Sequence, residues 1–211
     1  MTTTIPAGRR ARCHAVATAG IVITAAVLSG SLLANPPQEG MVTGSVVAKL
    51  AKQKEGVLLY LTGVPGTFAP PKDHPVIDQK DLVFTPHILP ILAGTTVDFL
   101  NSDNVRHNVF SPDGEKFNLG TWPKGEKRPH TFAKPGVYTI LCNVHPEMEA
   151  FVVVLENPFH AVSGKDGAFQ IEHVPPGKYS LHAFAGTLKA DPVELVVTAG
   201  GSVSATMTLK R

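Results

Sequence analysis

Short apolar runs separated by glycine and proline are the feature that most constrains how this chain folds. The 211 residues include 19 glycines and 18 prolines, and both residue types mark turns and loops. After position 60, no stretch of ten or more residues repeats its apolar side chains with a helical period, apart from weak possibilities in loops. The sequence therefore predicts an all-β protein.

The candidate strands are short and occur throughout the chain. Before residue 101 they are 42–50, 57–61, 82–84, 88–92 and 95–100. After it they are 105–110, 137–142 and 150–155, then a strand with Phe169 and Ile171 on one face, a strand with Tyr179 and Leu181 inward, and the strands 193–197 and 203–209. Because strand side chains alternate between two faces, one strand should place Val105, His107 and Val109 together. By the same alternation, Tyr138, Ile140 and Cys142 should share a face.

The first 35 residues are typical of a targeting segment. Arg9, Arg10 and Arg12 precede an almost wholly apolar run, 15–34. We interpret this segment as a secretory signal peptide. The alternative is an uncleaved membrane anchor, because about 20 apolar residues can just span a bilayer. Both interpretations place the rest of the chain in the periplasm or another extracytoplasmic compartment.

Composition and charge narrow the possible functions. The chain is 43% hydrophobic and 17% charged, which is ordinary for a globular protein and unlike a disordered one. The formal net charge is only +2, and no dense lysine or arginine stripe occurs beyond the N-terminal segment. We therefore expect no nucleic-acid partner.

The cysteines draw attention to one part of the chain. There are two, Cys13 and Cys142, and Cys13 lies in the N-terminal segment. If that segment is removed, Cys142 has no partner for an internal disulfide. It is then either a buried free thiol that packs like a small apolar residue, or a metal ligand.

Three potential metal donors follow one another at intervals of three residues: Cys142, His145 and Met148. They lie between two candidate strands, and His107 lies 35 residues upstream. A thiolate and a thioether stabilise Cu(I), whereas imidazole accepts both oxidation states of copper. The donor set therefore predicts one type 1 (blue) copper site, which cycles between Cu(I) and Cu(II).

The segment around these donors resembles the cupredoxin family of blue copper proteins, of the amicyanin and plastocyanin type. The resemblance covers about 80 residues, and the short Cys-x-x-His-x-x-Met loop is most similar to that of amicyanins. The stretches that also match are Phe84-Thr85-Pro86, Gly94-Thr95-Thr96-Val97, Phe99-Leu100-Asn101, His107-Asn108-Val109 and the run with Phe132, Gly136 and Tyr138. Pro90, which interrupts the leading segment, departs from the family pattern.

The resemblance implies a role for each donor. Cys142, His107 and His145 would be the three equatorial ligands, and Met148 the axial one. Asn108 would tie the His107 strand to the Cys142 loop and donate its backbone N–H to the thiolate. His145 would reach the protein surface within an apolar rim and act as the electron port.

The C-terminal tail resembles a different family, the carboxypeptidase regulatory-like (transthyretin-like) β-sandwich. The resemblance rests on the Gly-Ala-Phe turn at 167–169 and the Pro-Pro-Gly-Lys-Tyr hairpin at 175–179. The tail alone is short for such a domain, but 43–46 and 56–61 resemble the opening strands of the family.

We therefore expect a Greek-key cupredoxin β-sandwich and a second small β-sandwich, with the first inserted into the second. The predicted boundaries are 1–35 for the targeting segment, 74–157 for the cupredoxin domain, and 41–66 with 160–211 for the second sandwich. Insertion is tolerated because domain termini often lie close together. Two sandwiches in series, or one enlarged sandwich, are the alternatives.

The predicted function is single-electron transfer between redox proteins, without enzymatic turnover of a small molecule. A multicopper oxidase needs paired His-x-His motifs, and the nine histidines of the chain form none. A copper nitrite reductase would need a second copper site and a second cupredoxin domain. The alternatives left open are periplasmic copper capture or delivery without redox traffic, and a structural role.

Overall fold

The fold is that of a computed structural model, which describes residues 1–2 and 38–211. Contacts divide the chain into two units, Met1–Asn35 and Pro36–Arg211, and the described strands all lie in the second unit. The predicted targeting segment lies outside the described residues, except for its first two. Among the described residues, no helix has both the length and the apolar character needed to cross a membrane.

Sixteen strands and one short 3₁₀ helix, Ala51–Lys54, make up the regular structure of the described residues. The strands of the first half are β1 (Gly40–Val47), β2 (Leu58–Thr62), β3 (Val76–Lys80), β4 (Val83–Thr85), β5 (Ile88–Leu92), β6 (Thr95–Asn101), β7 (His107–Ser111) and β8 (Phe117–Trp122). Those of the second half are β9 (Lys127–Phe132), β10 (Gly136–Leu141), β11 (Glu149–Leu155), β12 (His160–Val162), β13 (Ala168–Val174), β14 (Gly177–Phe184), β15 (Val193–Val197) and β16 (Ser202–Thr208). The all-β prediction is confirmed.

The central sandwich consists of two sheets. One has the strand order β5-β11-β10-β7-β8 and the other β4-β3-β6-β9. Their inner faces enclose an apolar core that includes Phe99, Val109, Trp122 and Ile140, each completely buried. Pro90 fits this arrangement because β5 is an edge strand, where a residue without a backbone N–H interrupts no ladder on the open side.

The second, smaller sandwich combines strands from both ends of the described chain. Its sheets have the orders β13-β1-β16 and β12-β2-β14-β15. Strand β1 pairs antiparallel with β13 and parallel with β16. Gly44, in the middle of β1, allows the ring of Phe169 to pack close to the backbone, since a Cβ at that position would lie 2.7 Å from the ring.

The two sandwiches touch through a small apolar cluster. Its buried members are Leu58 from β2 and Val153 and Leu155 from β11. Tyr60 and Phe184 pack against it, and the rings of Phe151 and Phe184 meet edge to face at a centroid distance of 5.2 Å. Strand β11 therefore has its two faces buried, one in the core of the central sandwich and one against the second sandwich.

The structure differs from the predicted strands in several places. Val105 does not share the buried face of His107, because β7 begins only at His107 and Val105 is 47% exposed in the preceding bend. Strands β3, β8, β9 and β12 had no counterpart among the candidate strands. The run predicted as 42–50 ends at Val47, before the 3₁₀ helix.

Candidate metal centre

The predicted donors come from three neighbouring pieces of one sheet. His107 is the first residue of β7, Cys142 follows the last residue of β10, and Met148 precedes β11. The last residue of β10, Leu141, pairs antiparallel with Glu149 at the start of β11 and with Phe110 in β7, so the chain beyond β10 runs on towards His107 at the start of β7. The loop from Asn143 to Met148 then only has to close a short gap, which brings His145 over the sheet end.

The donor atoms of His107, Cys142 and His145 lie within 4.8 Å of one another. Cys142 Sγ is 3.9 Å from His107 Nδ1 and 4.0 Å from His145 Nδ1. The two Nδ1 atoms are 3.0 Å apart. With metal–nitrogen and metal–sulfur bonds of about 2.0 and 2.3 Å, an angle of 120° separates sulfur from nitrogen by about 3.7 Å, and an angle of about 100° separates the two nitrogens by about 3.0 Å. The spacing therefore fits three donors around one metal ion.

Met148 occupies the same buried region. It is 1% exposed, and it belongs to the apolar cluster that contains Cys142. Its backbone N–H donates to the carbonyl of His145 at 3.0 Å, so residues 145–148 form a tight turn. A thioether buried beside a thiolate and two imidazoles completes a donor set suited to copper.

Asn108 links the two halves of the cluster. Its backbone N–H lies 3.5 Å from Cys142 Sγ. Its side-chain oxygen accepts from the backbone N–H of Asn143 at 3.4 Å, while its amide donates to Gly120 O and Asn118 Oδ1, each at 2.8 Å. These contacts join β7, β8 and the loop after β10, which is where the resemblance placed Asn108.

Asp103 is a neighbour of the cluster that the sequence reasoning missed. Its Oδ2 lies 2.8 Å from Nε2 of His107, whose side chain is completely buried. Burial by itself raises the pKa of the Asp103 carboxyl, but hydrogen bonds from His107, Leu82 and Asp81 outweigh it and hold that pKa below its ordinary value. The available signal was an acidic residue four positions before the candidate histidine.

Asn101 is a second residue that the sequence reasoning did not single out for the site. It is completely buried at the end of β6. Its amide donates to Val105 O at 2.9 Å and to Trp122 O at 3.0 Å, and its Oδ1 accepts from the backbone N–H of Asp103 at 2.9 Å. Asn101 thus fixes the bend that presents Asp103 to His107.

Only one of the predicted donors approaches the surface. His145 is partly exposed, whereas His107 and Cys142 are buried. On either side of His145, Val144 is 46% exposed and Pro146 is also exposed. The edge of the cluster is therefore a partly exposed imidazole between two apolar side chains.

Residues 72–155 match the family of copper-binding proteins described as plastocyanin/azurin. This segment is a plastocyanin/azurin-family copper-binding domain. The match includes β3 to β11 and therefore all four predicted donors. The family and the donor set agree on the cofactor, which is copper. In the described part of the chain, no other group of three or more His, Cys, Asp or Glu side chains could hold a metal ion.

Copper proteins are among the solved structures that are similar to this chain. A purple cupredoxin from Nitrosopumilus maritimus is 30% identical over 38% of this chain and 99% of that one, with a TM-score of 0.36. A reduced amicyanin mutant is 24% identical over 46% and 99%, with a TM-score of 0.38. A Cu-containing nitrite reductase from Thermus scotoductus SA-01 is 26% identical over 54% of this chain but only 28% of that one, with a TM-score of 0.39.

Proposed function

We propose that this chain is an exported type 1 copper protein that carries single electrons between redox proteins. The proposed ligands are His107, Cys142, His145 and Met148. The observation that carries the proposal is the convergence of three donor atoms within 4.8 Å at one end of the central sandwich. Copper held there supplies one-electron chemistry between Cu(II) and Cu(I).

The burial of the site supports electron transfer over turnover of a small molecule. Cys142, His107 and Met148 are at most 2% exposed, so these side chains exclude water and leave a substrate no approach from their side. His145 is the proposed ligand that is partly exposed, and an electron can pass through its imidazole without any ligand leaving. Donor and acceptor proteins would dock over the apolar rim of Val144 and Pro146. We propose that the chain has no enzymatic activity and no nucleic-acid partner.

Export is the second part of the proposal. Its support is the basic and then apolar N-terminal segment, 1–35, which lies outside the described residues apart from the first two. A cleaved signal peptide would release the protein into the periplasm or another extracytoplasmic compartment, whereas an uncleaved segment would anchor it to the membrane.

We further propose that residues 41–66 and 160–211 form one carboxypeptidase regulatory-like sandwich, into which the copper-binding domain, 74–157, is inserted. The pairing of β1 with β13 and β16 supports this division, as does the pairing of β2 with β12 and β14. We propose that the second sandwich serves as a scaffold that holds the copper-binding domain near its partners.

The decisive test is the visible spectrum of the full-length protein after addition of Cu(II). We expect an intense thiolate-to-Cu(II) band, and we expect Cys142→Ser to abolish it because serine cannot supply the thiolate. Cys13→Ser is the matched control, and it should leave the band unchanged. A colourless wild-type protein, or a coloured Cys142→Ser variant, would contradict the proposal.

A second measurement separates electron carriage from copper delivery. The loaded protein is reduced and reoxidised repeatedly in the presence of a Cu(I) chelator, and the copper retained is measured after each cycle. An electron carrier keeps its copper and its colour, since its ligands stay in place in both oxidation states. Progressive transfer of Cu(I) to the chelator would instead support a delivery protein.

A further inference from the structure

The carboxylate of Asp103 lies between a turn and the proposed ligand His107. Its Oδ1 accepts from the backbone N–H of Asp81 at 2.7 Å, and its Oδ2 accepts from that of Leu82 at 3.1 Å. Both turn residues have positive φ, 56° and 59°, in the tight connection between β3 and β4. Oδ2 also lies 2.8 Å from His107 Nε2.

The contact with Asp103 determines which nitrogen of His107 carries the proton. An ionised carboxylate is only an acceptor, so Nε2 must be the donor. Nδ1 is then left with its lone pair, and it is the atom that lies 3.9 Å from Cys142 Sγ and 3.0 Å from His145 Nδ1. The hydrogen bond therefore both orients the ring and keeps its coordinating nitrogen available.

We propose that Asp103 is a positioning residue that holds His107 in its metal-binding tautomer and lowers the reduction potential of the site. This inference rests on the proposed function. Copper bound by these residues would accept one electron from a donor protein and pass from Cu(II) to Cu(I), with no proton or bond exchanged. A negative charge behind the imidazole stabilises the more positive oxidised state over the reduced one. The low dielectric around a fully buried ring strengthens that effect.

The test compares Asp103→Asn with a matched control, Asp113→Asn. The control also removes one negative charge from the central sandwich, and the Asp113 carboxylate likewise accepts a backbone N–H, that of Thr139 at 3.0 Å. We expect Asp103→Asn to keep the visible band and to shift the Cu(II)/Cu(I) equilibrium towards Cu(I) by about tenfold. For a one-electron couple this is a rise of about 59 mV in potential. Asp113→Asn should shift it by less than about threefold, because Asp113 does not contact a ligand.

A second readout keeps the inference testable if Asp103→Asn does not accumulate as folded protein. In the Cu(I) form of the wild type, NMR should show His107 protonated at Nε2, with a proton that exchanges slowly and lies downfield. Asp103→Asn, where it folds, should move that signal upfield. A His107 protonated at Nδ1, or an Nε2–H that exchanges at the solvent rate, would overturn the inference.

The outcomes distinguish this inference from the proposed function. If the wild type gives no thiolate-to-copper band, the proposed function fails and the role of Asp103 fails with it. If the wild type is coloured but Asp103→Asn and Asp113→Asn have the same potential, only the role of Asp103 is refuted. Thermal unfolding of the copper-free variants measures separately what the loss of the turn contacts costs.

Discussion

The two sandwiches differ most in the chemistry of what they bury. In the described part of the chain, nine polar or charged residues are buried, and seven of them lie in the segment that matches the copper-binding family, 72–155: Gln79, Thr95, Asp98, Asn101, His107, Asn108 and Ser111. Only Asn157 and Ser163 lie outside it. The core of the second sandwich is instead built from aliphatic and aromatic side chains together with Met207.

This difference shows which interactions each sandwich depends on. Burying a polar group costs free energy unless it is hydrogen-bonded, so the copper-binding domain is stable only with its polar partners in place. Those partners also orient the proposed ligands. The second sandwich depends mainly on apolar packing, and substitutions in its core should alter stability without altering the copper site.

The largest expected effect is the loss of core packing in the second sandwich. Leu181, completely buried in β14, can be replaced by alanine. We expect Leu181→Ala to lower the free energy of unfolding by about 2–5 kcal/mol, through lost burial and the cavity that remains. Chemical denaturation of the copper-free protein measures it. The visible spectrum of the copper-loaded variant should not change while it is folded.

Ile140→Ala is the counterpart in the copper-binding domain. Ile140 is also completely buried, and it lies two residues before Cys142 in the same buried cluster. We expect a comparable loss of stability together with weaker copper binding and an altered spectrum. If Leu181→Ala perturbed the spectrum as much as Ile140→Ala, the second sandwich would shape the copper site as well, and the proposal that it contributes only stability would be wrong.

The contrast also explains which features the sequence could predict. The all-β fold followed from apolar alternation, and three donors could be named because they lie within seven residues, from Cys142 to Met148. Strand β9, Lys127–Phe132, was missed because five of its six residues are charged, polar or proline and only Phe132 is buried. Its strand conformation comes from pairing with β6, which is a tertiary contact.

The surroundings of the donors were harder to predict for the same reason. Asp103 meets His107 within one bend, but its other partners, Asp81 and Leu82, come from a turn more than twenty residues earlier. Asn101 likewise reaches Trp122 across the sandwich. No local pattern encodes such contacts, because they arise only when two sheets pack together. Asn108 could be named only through the family resemblance.

An intermediate effect is expected from the buried amides. Asn101→Ala leaves the carbonyls of Val105 and Trp122 and the N–H of Asp103 without their partner. We expect a loss of about 1–3 kcal/mol in the free energy of unfolding. We also expect weaker copper binding, measured by competition with a chelator, because the bend that carries Asp103 is released.

Asn157→Ala is the matched control, at a residue just outside the segment that matches the copper-binding family, 72–155. Asn157 is 3% exposed, its amide donates to Leu61 O at 2.8 Å, and its Oδ1 accepts from Phe159 N–H at 3.1 Å. It should lower stability by a similar amount and leave copper affinity unchanged. Equal losses of copper affinity in both variants would show that buried amides matter to the site only through global stability.

The smallest effect concerns a buried charge that does not contact the proposed ligands. The hydrogen bond from Lys127 is the main cause that holds the pKa of Asp98 below its ordinary value, and His74 adds to it. Because the folded pKa is lowered, this stabilisation is complete above the unfolded pKa and is lost as the pH falls through the folded value. Asp98→Asn should therefore cost about 1 kcal/mol at neutral pH and almost nothing in acid, as measured by denaturation at each pH. Glu126→Gln, which breaks the exposed pair with Arg128, should have a smaller effect at neutral pH.

A copper spectrum altered by Asp98→Asn would mean that polar burial throughout this domain, and not only beside the ligands, shapes the site.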